Sequence, residues 1–199
     1  MEIRPPFGYK DIAPLNRNQK VRLLAQGEVP AFARDLNSIP ISYTEFALVA
    51  REYPIIFSTS GDSRIFAPVA VLGMAASENL YHSKGKWARN VYIPAYVRRF
   101  PFCMTTVTLD KVVQQNRLIC VEKSHIDDKD GEPMFDAKGQ PLAKWQEIEK
   151  LLTEYEIDLE RSRETCGILA DYGLLEPFPM QAKFDSGAEP LHLSGMHRV

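Results

Sequence analysis

Arginine set beside aromatic rings is the chain's most chemically suggestive pattern, and it occurs twice. Arg51-Glu52-Tyr53-Pro54-Ile55 and Arg98-Arg99-Phe100-Pro101-Phe102 share one order: arginine, aromatic, proline, apolar run. A guanidinium presents a planar fork of donors that matches carboxylate or phosphate, and it stacks on aromatic faces. Arg51, Arg98 and Arg99 are therefore the candidate anion-binding residues, with Tyr96 and Trp87 as aromatic walls. Successive helical positions lie about 100° apart, so Arg98 and Arg99 cannot both cap the same carbonyls. One of them should turn to an acidic partner in the fold or to a ligand, and Glu45, Glu52 and Glu78 are the candidate partners. The doubled phrase also has a purely structural reading: helix end, proline stop, buried strand. Arginine at a helix C-terminus complements the macrodipole. On that reading Tyr53 and Phe100 are buried, and Pro54 and Pro101 each open a strand.

Other chemistry is sparse. The four histidines, His82, His125, His192 and His197, show no H-E-x-x-H spacing, and no G-x-S-x-G, phosphate-loop or dinucleotide fingerprint occurs. Cys103, Cys120 and Cys166 lie far apart without C-x-x-C or Cys/His spacing. They predict neither zinc nor a disulfide framework and fit a reducing compartment. Cys103 and Cys120 stand in apolar runs, where a thiol is inert packing. Asp128-Gly131-Pro133 is echoed by Asp136-Gly139-Pro141. A calcium loop with Gly131 at its obligatory glycine would need ligands at Ile126 and Ala137, which cannot supply them. Two exposed β-turns around a short "PMF" strand are the expectation. No catalytic residue, metal site or cofactor is assigned.

The elements that must hold these residues fit one domain of 199 residues, with residues 1–13 as an N-terminal arm. Composition is that of an ordinary globular protein, 45% hydrophobic and 25% charged, with a net charge of −2. Nucleic acid is not an expected partner, because such proteins carry a basic face. No apolar stretch approaches the roughly 18 residues of a membrane span. The first fifteen residues have no apolar core of a signal peptide, so a cytoplasmic location is expected.

"KVRLLAQG" reads as a short strand. "PISYTEFALVAREYP" reads as a helix with a Ser42–Glu45 capping box, stopped by Pro54. "IIFST" and "RIFAPVAVLGM" read as strands, with "SGDS" between them as a turn. "NLYHSKGKW" reads as a hairpin turning at Gly85. "IPAYVRRFP" reads as a short helix, and "FCMTTVTL" pairs with "NRLICVEKS". From 143 to 172, Trp145, Ile148, Leu152, Tyr155, Leu159, Ser162, Cys166 and Leu169 step by three and four. That spacing predicts one long helix whose seam packs on its own domain or on a second copy as a homodimer. Gly173 ends it. The fold class expected is α+β: a mainly antiparallel sheet with short helices, closed by the long C-terminal helix.

At "LNSIPISYTEFALVAREYPIIF", "AVLGMAASENLY", "GKWARNVYIPAYVRRFPF" and "GEPMFDAKGQP" the chain resembles the SapC family of bacterial proteins, named from a surface-layer locus. This is not the similarly named peptide-transporter permease. The most specific stretch is Tyr92 to Phe102, and the resemblance runs from about Pro14 to the C-terminus. Family members usually continue past "LSGMHRV", so a short tail is expected to be missing. The resemblance implies an accessory or binding protein with a protein partner, linked to cell-envelope, surface-layer or nutrient-uptake systems. Members occur beside genes for outer-membrane receptors, flavin-dependent halogenase-like proteins and cupin-like oxygenases. No catalytic residue carries over. The alternative is an enzyme or enzyme subunit that binds a small anionic ligand such as an amino acid or peptide.

Overall fold

A computed structural model describes residues 2–59, 65–109, 112–182 and 191–199. Its two main sheets are built from β1 (Glu2–Ile3), β2 (Ile12–Pro14), β3 (Ser38–Pro40), β4 (Ile55–Thr59), β5 (Phe66–Val71), β6 (Phe102–Leu109), β7 (Val112–Glu122), β8 (Glu176–Pro177) and β9 (Met196–Arg198). The helices are α1 (Ala31–Arg34), α2 (Phe46–Val49), α3 (Ala95–Arg98) and α4 (Ala143–Asp171). The protein is α+β, with antiparallel pairing throughout its sheets and one long C-terminal helix.

The first sheet has the order β1-β6-β7-β2. Its centre is the antiparallel pair β6–β7, in register at Cys103↔Cys120 and Phe102↔Val121. The N-terminal arm supplies both edges, β1 beside β6 and β2 beside β7. Successive strand residues face opposite sides, which explains why neighbours in β6 enter different cores. Phe102 packs with Val21, Met134, Trp145 and Leu152, whereas Cys103 packs with Tyr9, Ile12 and Cys120. The second sheet has the order β8-β9-β4-β5-β3.

Pro54 and Pro101 stand immediately before β4 and β6, as the doubled phrase predicts. Tyr53 is buried; Phe100 is half-buried, against the rings of Tyr9, Phe32 and His125. The hairpin forms as His82–Ser83 paired with Lys86–Trp87, with Gly85 at φ +74°. Asp127 and Asp136 each accept backbone N–H groups through Oδ1, which fixes the two turns. The strand between them is Glu132–Pro133, paired with Lys20–Val21, one residue earlier than the expected "PMF"; Met134 is instead a buried core residue.

Two readings change. The helix expected from 40 to 54 is divided among β3, a 3-10 turn at Tyr43–Glu45, and α2. Pro40 pairs with β5 ahead of the Ser42 cap, and the helical stretch runs from Tyr43 to Val49, ending before Pro54. The capping box is present, with Glu45 Oε2 accepting from the Ser42 backbone N–H at 2.8 Å. "KVRLLAQG" contributes only Lys20–Val21 as strand, because Arg22 turns into contacts with His125. The turn expected at "SGDS" lies outside the described residues.

The seam of α4 is buried within the chain. Trp145 and Leu152 enter one core cluster and Tyr155 another, so the helix clasps the two sheets together. Ser162, polar in an otherwise apolar line, has a local cause. Its Oγ donates to Asp158 O at 2.6 Å and accepts from the Tyr43 N–H at 2.9 Å, tying α4 to the 3-10 turn. The helix ends in a Schellman motif at Gly173, φ +65°, with Leu174 N–H on Leu169 O and Gly173 N–H on Ala170 O. No helix among the described residues is long and apolar enough to cross a membrane.

Candidate functional site

The short helix α3 sorts its two arginines to opposite surroundings. Arg98 is exposed and folds back to donate from Nε to Ile93 O and from Nη2 to the Tyr92 hydroxyl, both at 2.9 Å. Arg99 points inward and is 3% exposed. Its guanidinium carbon lies 4.1 Å from the ring centre of Tyr96, 4.9 Å from Tyr155 and 5.6 Å from Tyr9. Three rings from the arm, α3 and α4 thus enclose one cation, an arrangement in which each ring face attracts the charge.

Burial raises the pKa of all three tyrosines, against the opposing charge of Arg99. They are therefore neutral rings around a permanent cation. Two of their hydroxyls have backbone acceptors: Tyr9 donates to Phe102 O and Tyr96 to Phe7 O, each at 2.6 Å. The third does not. The Tyr155 hydroxyl and Arg99 Nε are buried and have no hydrogen-bond partner among the described residues.

The acid facing Arg99 is Glu156, at 3.6 Å from Nη1. Glu156 also holds Arg117 of β7 in an ion pair. None of Glu45, Glu52 and Glu78 fills this place. Glu45 accepts from Ser42, Tyr92 and the Ala95 N–H, joining the capping box to the start of α3. Glu78 accepts the N–H groups of Met74 and Ala75, which lowers its pKa. Glu52 takes the Tyr81 hydroxyl on its backbone oxygen.

Beside the cage, between the first sheet and α4, lies a cleft of about 310 Å³. Among the described residues, Arg4, Arg99, Arg117 and Arg163 line it together with one acid, Glu156. Thr105 and Thr106 add hydroxyl groups. Arg163 pairs with Glu160 at 2.8 Å, one turn along α4. The lining is rich in guanidinium groups, and a guanidinium fork is suited to a carboxylate or phosphate oxygen pair.

Of the five residues chosen from sequence, Arg99 and Tyr96 meet in this cleft. Arg98 and Arg99 line another pocket, of about 260 Å³, with Lys144 and Ile148. Arg51 is exposed at the end of α2, and Trp87 is a core residue that donates from Nε1 to the Tyr53 hydroxyl at 2.9 Å. Neither lines these pockets. Sequence reasoning missed Tyr9, Arg117, Tyr155 as a site residue, and Glu156. The one available signal was Tyr155 itself, a phenol in an apolar seam, which requires either an acceptor or a reason to lack one.

Two thiols and one histidine near the first sheet are held by their surroundings. Burial pushes the Cys103 thiol up to about 12 and the Cys120 thiol to about 11. His125 uses both ring nitrogens, with Nδ1 on Arg22 O at 2.7 Å and Nε2 on Arg22 Nη2 at 3.0 Å. Among the described residues no group of three or more His, Cys, Asp or Glu is placed to hold a metal ion.

The molecule is thus an α+β protein whose long helix closes an arginine-lined cleft over an antiparallel sheet. The SapC family profile matches residues 16–199, and the chain belongs to that family. No curated protein and no solved structure matches the chain significantly. Tyr9, which supplies one wall of the cage, precedes the matched region.

Proposed function

We propose that this SapC-family chain is a non-catalytic binding protein that takes a small anion, a carboxylate or phosphate, in the arginine cleft. It works in the cytoplasm as an accessory to a cell-envelope, surface-layer or nutrient-uptake system, and that setting comes from the family alone. Residues 1–199 act as one domain, arm included, because Tyr9 closes the cage around Arg99.

The observation that carries this reading is that two guanidiniums of the cleft, those of Arg99 and Arg117, share one carboxylate, Glu156. Arg99 Nε has no hydrogen-bond partner among the described residues. An incoming anion would give this pair a second negative group. The inert thiols and the saturated His125 support binding over catalysis.

Thermal unfolding of the whole chain at low ionic strength, with acetate, citrate or inorganic phosphate at millimolar concentration, tests the reading. A ligand that binds only the native state raises Tm. The expected rise is lost at high salt, where the charges are screened, and in the Arg117→Gln/Arg163→Gln variant. No rise with any of the three anions would overturn it. A pull-down from the native host tests the accessory role: a stable protein partner supports it, and none contradicts it.

A further inference from the structure

A second cavity adjoins the arginine cleft. It measures about 230 Å³ and is lined by Pro40, Ile41, Phe66 and Pro68 from the second sheet's side and by Tyr155 and Leu159 from α4. Tyr96, Leu159 and Arg163 line both cavities. The two differ in chemistry: one gathers arginines and threonine hydroxyls, the other aliphatic, proline and aromatic side chains around a single guanidinium, that of Arg163. A small anion by itself uses only the first.

We propose that the two cavities form one bipartite site for an amphipathic carboxylate, its head in the arginine cleft and a short aliphatic or aromatic body in the apolar cavity. The proposal rests on the anion reading of the cleft and adds the chemical class of the ligand. One feature besides cavity shape points to an occupant. Arg163, which also pairs with Glu160, stands at the wall the two cavities share, so a head bound to it leaves a body within reach of the apolar side.

Isothermal titration of the whole chain with acetate, inorganic phosphate, hexanoate, 3-phenylpropionate and 1-hexanol tests the proposal. Each buried methylene multiplies affinity roughly fourfold, so hexanoate and 3-phenylpropionate are expected to bind at least about tenfold tighter than acetate. Exposed Ala67 also lines the apolar cavity. An Ala67→Trp change fills that space and is expected to reduce hexanoate to the affinity of acetate, with acetate unaffected. Equal binding of acetate, phosphate and hexanoate would overturn the bipartite site while leaving the anion cleft standing. Equal binding of 1-hexanol and hexanoate would overturn it too, as would a hexanoate preference that survives in Ala67→Trp. Binding of none of the anions would remove the cleft reading, and this proposal with it.

Discussion

The guanidinium carbon of Arg99 stands 4.1 Å from the ring centre of Tyr96, three residues earlier in the chain. One helical turn separates the two residues, so they share a face. The same face receives Tyr155 from α4 and Tyr9 from the N-terminal arm. Arg99 therefore joins elements that lie far apart in sequence, and it does so with charge and ring contacts where an ordinary core would use aliphatic packing.

Arg99→Lys keeps the charge but replaces a flat, stacking cation by a compact, strongly hydrated one. A desolvated cation–π contact is worth up to about 2 kcal/mol. Urea unfolding of Arg99→Lys is expected to show a loss of about 2 kcal/mol. A loss below about 0.5 kcal/mol would mean that the rings do not hold the guanidinium.

The cage tyrosines should respond differently to loss of the hydroxyl. Tyr96→Phe removes a donor from Phe7 O and is expected to cost about 1 kcal/mol. Tyr155→Phe removes a buried group that has no partner, so the free protein should be unchanged or slightly more stable. Equal losses in the two variants would show that the Tyr155 hydroxyl has an acceptor after all.

How far these features are legible in the sequence depends on their range. The α4 seam is legible because a long helix repeats its inward positions at steps of three and four, and Trp145, Leu152 and Tyr155 follow that rule. Ile55–Thr59 is legible because Pro54 marks its start. The helix expected over "PISYTEFALVAREYP" is legible at its start, where the Ser42–Glu45 capping box forms, but is shorter than expected: Pro40 pairs into the sheet, a long-range effect, and the helical stretch is Tyr43–Val49. For the site, the split between Arg98 and Arg99 follows from helical geometry, and the structure places one outside and one inside. Their partners do not follow. Glu156 reaches Arg99 and Arg117 only through the docking of α4 on the first sheet, and Tyr9 arrives through the pairing of the arm. No local spacing encodes either meeting. Arg51 and Trp87 share the arginine–aromatic composition of the site but are turned elsewhere by α2 and the hairpin.

The docking of α4 makes a stability prediction of its own. Leu152 is 1% exposed, while Ile157 on the same helix is 48% exposed. Leu152→Ala should cost about 2–5 kcal/mol in chemical denaturation, and Ile157→Ala within about 0.5 kcal/mol. Similar costs at both positions would mean that the seam is not the buried face.

His125 gives the molecule a pH dependence with a defined sign. Its Nδ1–H donates to Arg22 O and its Nε2 accepts from the Arg22 guanidinium, a network that fits only the neutral ring. Burial, with the Arg22 charge beside it, lowers its pKa. The unfolded chain therefore takes up the proton first as pH falls. Stability is full above about pH 6.5, the ordinary histidine value, and declines below it until the folded ring protonates, with a slope of at most about 1.4 kcal/mol per pH unit from this group. Denaturation midpoints across that range should show the decline in the natural chain and a shallower one in His125→Gln. Equal pH profiles would remove His125 as the cause.

The central claim is that the cleft of Arg4, Arg99, Arg117 and Arg163 holds an anion. Isothermal titration with acetate, citrate and inorganic phosphate, run in parallel on the natural chain and on Arg117→Gln/Arg163→Gln, tests it most directly. The account predicts saturable one-to-one binding that weakens as salt is raised and is lost in the double variant, with the variant's fold intact by circular dichroism. Absence of binding to the natural chain, or undiminished binding to the folded double variant, would contradict it.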